Sequence, residues 1–207
     1  MLAKLASYTL VGIDALPVEV EVDASAGLPK TLLVGLPEMS VRESVHRIER
    51  ALANLGYQRP SGRTVINLAP ADLRKDAGAF DLPIALGLLV ATHQLRPEQL
   101  DDSATVGELA LDGSVRPIRG GLSMAMAARD LGFKRLVVPV ENAREAAVVE
   151  DLQVFGVGSL NDAVGLLAGR IELDPAVSGM ADLAPKLNRY DVDFADVRGL
   201  SGRGATS

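Results

Sequence analysis

Cationic side chains are concentrated in one stretch of this 207-residue chain. Residues 42–75 contain seven arginines and lysines and three acidic residues, which gives this stretch a net charge of +4, although the chain as a whole carries −6. The seven cations are Arg42, Arg47, Arg50, Arg59, Arg63, Arg74 and Lys75. This asymmetry is typical of a face that contacts phosphate groups. The same charges also suit a solvated helix face followed by a salt-bridged loop. Aromatic residues make up only 3% of the chain, so we expect any nucleic-acid binding to be to the backbone and non-specific.

Other common chemistries are excluded by residue type. The chain has no cysteine, so it lacks disulfides, thiol nucleophiles and thiolate metal sites. Its two histidines, His46 and His93, are far apart in sequence, and no set of zinc ligands accompanies them. The segment Gly27–Thr31 superficially resembles the end of a phosphate-binding loop. It lacks the glycine directly before Lys30, and Pro29 removes a backbone amide, so a turn between strands is predicted instead.

One loop carries three aspartates with a spacing that weakly suggests a hard cation site. Asp72, Asp76 and Asp81 are oxygen donors of the type that such cations prefer. Two neighbouring cations, Arg74 and Lys75, would oppose a bound metal ion. We therefore predict no metal site, and we expect Asp81 to cap the helix that follows.

Hydrophobic periodicity predicts a mixture of strands and helices. Residues 17–23 alternate apolar and acidic side chains, which indicates a strand with one wet face. Apolar residues then recur at helical spacing from Val41 to Leu55, and residues 82–91 form a nearly all-apolar helix that must be buried. Asp112 and Gly113 favour the tight turn of a hairpin, and Ser159 is placed to cap a last helix. This intermixing predicts an α/β or α+β domain.

Composition divides the chain into a domain and a tail. We expect residues 1–170 to form one domain, and residues 171–207 to be an acidic linker and disordered tail without periodicity. No window reaches the ~18 uninterrupted apolar residues of a transmembrane helix. Gly12 and Asp14 interrupt the apolar start, which predicts a first strand rather than a signal peptide, and a cytoplasmic location is expected.

Several blocks of this sequence resemble the N-terminal domain of the ComM/YifB family, the bacterial Mg-chelatase-like (ChlI-type) AAA+ ATPases. The resemblance covers about residues 1–199, and the long central blocks make it specific. The blocks are residues 34–37, 42–44, 67–75, 80–87, 106–109, 112–113, 116–117 and 141–143. The resemblance implies a ribosomal protein S5 domain 2-like fold, as in the Lon protease domain and the C-terminal domain of RadA.

The resemblance also implies that both protease positions are vacant. In Lon-like proteases a nucleophilic serine follows a Lys-Asp-Gly-Pro run, and here Ala79 stands at or near that position. The partner lysine follows Gly-Gly-Leu, and here Ser123 occupies that place. A Ser-Lys peptidase needs a hydroxyl and a lysine with a depressed pKa, so neither residue replaces its counterpart. A swapped pair of Ser123 with Lys75 stays open as an alternative, as does a Ser123 that simply begins a helix.

The resemblance further implies that a nucleotide-binding AAA+ module normally follows this domain. The chain resembles the family linker over residues 193–199 and then departs, so we expect no ATP or magnesium site and no enzymatic activity in this chain. We expect a non-catalytic domain of a protein implicated in DNA branch migration during natural transformation. It would act in ring assembly and DNA contact, without a membrane partner. The candidate DNA-contacting residues are Arg42, Arg47, Arg50, Arg74 and Lys75. The alternatives are a peptidase with a rearranged dyad and a pure oligomerisation scaffold.

Overall fold

A long antiparallel hairpin forms the middle of the fold. In the computed structural model, β1 (Leu2–Val11) pairs with β2 (Asp14–Ser25) along its whole length. The structure describes residues 1–35, 39–73, 78–98 and 100–178, without the side chains of Ser40 and Arg42. The apolar start of the chain is therefore a strand, as predicted.

Within the described residues, seven strands form one mixed sheet that includes this hairpin. The strands after β2 are β3 (Lys30–Val34), β4 (Arg63–Ala69), β5 (Ser103–Thr105), β8 (Arg135–Pro139) and β9 (Gln153–Val157), and a separate small hairpin consists of β6 (Glu108–Leu109) and β7 (Val115–Arg116). The order in the sheet is β3-β4-β2-β1-β5-β8-β9, with parallel pairing of β3 with β4 and of β1, β5, β8 and β9 in succession. The small hairpin has the predicted turn at Asp112 and Gly113 between its two strands.

Among the described residues, five helices cover the sheet from both sides, which confirms the predicted α/β class. They are α1 (Met39–Asn54), α2 (Asp81–Ala91), α3 (Gly121–Asp130), α4 (Val140–Ala146) and α5 (Leu160–Leu167). The main core lies under α1, α2 and α5, and a second core, rich in alanine, lies under α3 and α4. Small side chains allow α3 and α4 to approach the sheet closely, which suits a chain with few aromatic residues.

Helix α2 is the centre of the main core. All eleven of its residues are buried, as its nearly continuous apolar sequence predicts. Gly87 lets the helix approach the sheet, because a Cβ there would lie 2.6 Å from a methyl group of Val22. The amphipathic α1 instead buries only one face, which includes Val41 and Ile48.

The packed part of the chain continues past residue 170. Ala176 donates its backbone N–H to the carbonyl of Val154 at 2.7 Å, which covers part of the outer edge of β9. Leu173 packs against the main core. The tail from residue 179 onward lies outside the described residues. None of the described helices combines the length and apolar character needed to cross a bilayer.

Candidate functional site

The position expected to hold a protease nucleophile is occupied by a buried alanine. Ala79 lies just before α2 and lines a cavity of about 330 Å³, together with Thr9, Glu108, Arg119 and Met124. Gly78 before it has a φ of +106°, and a Cβ there would lie 3.1 Å from a carboxylate oxygen of Glu108. Ala79 thus sits beside an open space but has no atom that could attack a carbonyl group.

The hydroxyl of Ser123 is used elsewhere. Its Oγ donates to the carbonyl oxygen of Ile13, in the turn between β1 and β2, at 2.7 Å. The residue after it, Met124, lines the cavity beside Ala79, whereas Ser123 does not. The side chain therefore ties α3 to a hairpin turn. Its proposed partner in a swapped dyad, Lys75, lies outside the described residues.

We expect Ser123→Ala to leave proteolysis unchanged. The hydroxyl is engaged with a backbone carbonyl, so its removal deletes one hydrogen bond worth about 1 kcal/mol and no reacting group. Casein cleavage by the variant and by the unaltered chain, purified in parallel, checks this. Cleavage that is present in the unaltered chain and lost in the variant would restore the rearranged dyad.

Asp81 does not cap α2, contrary to the sequence prediction. Phe80 occupies the capping position without a side-chain hydrogen bond, and Asp81 is the first residue of the helix. Its Oδ2 accepts from Nε and Nη2 of Arg47 at 3.0 and 2.6 Å and from the backbone N–H of Leu109 at 3.1 Å. The carboxylate joins α1, α2 and the small hairpin through Oδ2, and these partners offset part of the cost of burying its charge.

Burial dominates the electrostatics of this ion pair. The Asp81 side chain is only 1% exposed, and desolvation raises the pKa of its carboxyl group above the ordinary value. The guanidinium of Arg47 and the N–H of Leu109 act in the opposite direction. An aspartate held in this way is not a metal ligand, and the described residues contain no group of three or more His, Asp or Glu suited to a metal ion.

The ion pair also bears on the predicted DNA contacts. The guanidinium of Arg47 faces Asp81 and is 28% exposed, so it is not displayed for a phosphate group. Arg50, one turn further along α1, is exposed. The other three candidates lie outside what is described: Arg74 and Lys75 entirely, and Arg42 in its side chain.

The fold brings together a different set of cations, which we call the basic edge: Lys30, Arg59 and Arg63. Lys30 and Arg63 occupy paired positions on β3 and β4, neighbouring strands that lie about 4.8 Å apart. Arg59 lines the same cavity as Lys30. All three are exposed, and among the described residues no carboxylate forms an ion pair with them. Like charges on paired strand positions repel, so this edge favours an anionic ligand.

Arg59 and Arg63 belong to the cationic stretch of the sequence but not to the predicted DNA contacts, and Lys30 belongs to neither set. The turn predicted from Gly27 onward is confirmed between β2 and β3, and Lys30 is the first residue of β3. Only the pairing of β3 with β4 brings Lys30 beside Arg63. The available signal was the strand pattern on both sides of the cationic stretch.

This chain is similar in sequence to known proteins over most of its length. A family model described as subunit ChlI of Mg-chelatase matches residues 20–142. The chain is 38% identical to the protein YifB of Salmonella typhimurium over 192 residues, which are 92% of this chain and 38% of the relative. It is 37% identical to competence protein ComM of Haemophilus influenzae over 199 residues, 96% of this chain and 39% of the relative.

A more distant relative supports the fold. The DNA repair protein RadA of Haemophilus influenzae is 31% identical over 143 residues, 67% of this chain and 29% of that protein. This relationship fits an S5-like α/β fold. The chain spans less than two fifths of the length of YifB and ComM. With more than half of its residues matched, the chain belongs to the Mg-chelatase ChlI family, as the N-terminal domain of the ComM/YifB type.

Proposed function

We propose that this chain is a non-catalytic, Lon-like domain that contacts the DNA backbone through its basic edge and contributes to oligomer assembly. The proposal depends above all on one observation: Lys30, Arg59 and Arg63 are gathered at one side of the sheet without carboxylate partners among the described residues. Unpaired cations at the surface of an acidic domain attract polyanions. Arg50 of α1, one of the predicted DNA contacts, is also exposed.

The relatives give the proposal its context. One carries the name competence protein and another the name DNA repair protein. The family resemblance adds an AAA+ motor that forms rings and is implicated in branch migration. In such an assembly this domain would hold DNA, while the motor supplies ATP hydrolysis. The alanine at the nucleophile position and the engaged hydroxyl of Ser123 support a role without proteolysis.

We expect the triple variant Lys30→Gln, Arg59→Gln, Arg63→Gln to lose DNA affinity by about tenfold to a hundredfold at low salt, because each lost phosphate contact removes a released counterion. The dependence of log K on log salt should become shallower by about 0.9 per lost contact. Fluorescence anisotropy with duplex and branched DNA across a salt series measures both quantities.

The matched control removes the same charge from another part of the surface. Arg129→Gln, Lys134→Gln and Arg144→Gln replace three exposed cations near α3, α4 and β8, and we expect this variant to keep its affinity within a few-fold. Equal losses in the two variants would assign binding to net charge alone. Absence of DNA binding at low salt, with oligomers visible by light scattering, would favour the scaffold.

A further inference from the structure

The two edge strands of the sheet, β9 and β3, differ in the hydrogen bonds that their outer main-chain groups form. At one edge, the backbone N–H of Ala176 donates to the carbonyl oxygen of Val154 in β9. At the opposite edge, β3 bonds to β4 on one side only. Within the described ranges, no backbone hydrogen bond joins the other side of Lys30–Val34 to any residue. These main-chain groups form a template on which another strand can pair.

A groove of about 490 Å³ runs beside this free edge. The β3 side contributes residues 29–33, α1 contributes Val45, His46 and Glu49, and the loop before β4 contributes Arg59 and Pro60. Leu33, Val45 and the two prolines give the groove an apolar part. The space suits alternate side chains of an added strand, since every second side chain points to the same face.

The groove has a cationic border. Lys30 and Arg59 line it, and both are exposed. The one carboxylate in the lining, Glu49, accepts a hydrogen bond from Oγ1 of Thr31 at 2.9 Å, which directs it to the strand. A strand with acidic side chains matches this border, whereas a basic strand is repelled.

We propose that β3 accepts an extended acidic segment of a partner protein as an eighth strand of the sheet. The partner's main chain pairs with the free edge, its carboxylates face Lys30 and Arg59, and its alternating apolar side chains enter the groove. A polypeptide suits the site better than a nucleic acid, because only a polypeptide offers the main-chain N–H and C=O groups that an open strand pairs with. This interaction competes with the proposed DNA contact, because both use Lys30 and Arg59.

The probe is a fluorescein-labelled peptide of about eight residues in which aspartate and valine alternate. We expect it to bind the full chain in an anisotropy titration. Methylation of every second backbone nitrogen keeps all side chains but removes donors, so it should weaken binding by roughly tenfold or more. A peptide with lysine in place of aspartate should not bind.

Charge reversal locates the site. The double variant Lys30→Glu, Arg59→Glu should bind the aspartate peptide at least roughly tenfold more weakly than the unaltered chain does. The control variant Arg129→Glu, Lys134→Glu should bind it with an affinity within a few-fold of the unaltered chain. Circular dichroism melting shows whether both variants are folded.

Three results would overturn the proposal. They are the absence of binding by the aspartate peptide, equal binding of the methylated peptide, and equal binding of the lysine peptide. A dimer in light scattering that excludes the peptide would assign the β3 edge to a second copy, and it would also overturn the proposal. Failure of the DNA proposal is seen separately in the duplex titration, because backbone methylation of the peptide does not enter that measurement.

Discussion

Replacing Arg47 with alanine is expected to lower the free energy of unfolding by about 3–5 kcal/mol. The variant leaves the Asp81 carboxylate, which is 1% exposed, with the backbone N–H of Leu109 but without a guanidinium beside it. A buried charge without its counterion is among the most costly defects in a folded protein. Urea unfolding followed by circular dichroism measures the loss.

The pH dependence of this loss has a definite sign. Burial raises the pKa of Asp81 in the folded state, so the folded chain binds this proton more tightly than the unfolded chain does. The resulting contribution to stability is present at low pH and is lost as pH rises through the folded pKa. Removing Arg47 deletes an interaction that lowers this pKa, so the deficit of the variant should shrink as the pH is lowered from neutral.

Two comparisons make this result specific to the ion pair. Arg50→Ala removes an exposed arginine from the same helix and should change stability by no more than about 0.5 kcal/mol. The double variant Arg47→Met, Asp81→Leu should recover most of the loss, because apolar replacement of a buried pair is often neutral. A deficit in Arg47→Ala that stays constant with pH would contradict the account.

Gly35→Ala is expected to lower the free energy of unfolding by about 3–5 kcal/mol. Gly35 follows β3 with a φ of +94°, and a Cβ there would lie 2.1 Å from the carbonyl oxygen of Leu68 in β4. The substitution therefore combines a strained backbone conformation with a collision against main-chain atoms that cannot move independently. This close approach gives a physical reason for the glycine in the block of residues 34–37.

Gly132→Ala separates the two causes. Gly132 has a similar φ of +82°, but an added Cβ would meet no atom within 4 Å, so only the backbone cost of about 1–2 kcal/mol is expected. The difference between the two variants in urea unfolding measures the collision. Equal losses would mean that β3 and β4 separate easily at this point.

Local patterns were sufficient for the secondary structure. The apolar spacing around Ile48 marked α1, and the continuous apolar run marked a fully buried α2. Ser159 caps α5 through a reciprocal bond with Asp162, as its position before an apolar run predicted. These features depend on residues only a few positions apart, so the sequence reports them directly.

Features that depend on distant pairing could not be predicted in this way. Asp81 looked like a cap, because nothing in the sequence indicates that Arg47, on another helix, reaches it. Lys30 and Arg63 meet only through the pairing of β3 with β4. The contacts of Leu173 and Ala176 were hidden by the polar, proline-containing composition of their segment, which resembled a linker.

The complete burial of α2 has a consequence for synthesis of this chain. Part of its apolar surface is covered by α5, which is translated last among the five helices. While the ribosome makes the intervening residues, α2 is an apolar helix that is not yet fully shielded from water. This is the interval in which a nascent chain needs a chaperone most, and a stop codon placed before α5 should yield inclusion bodies rather than a smaller domain.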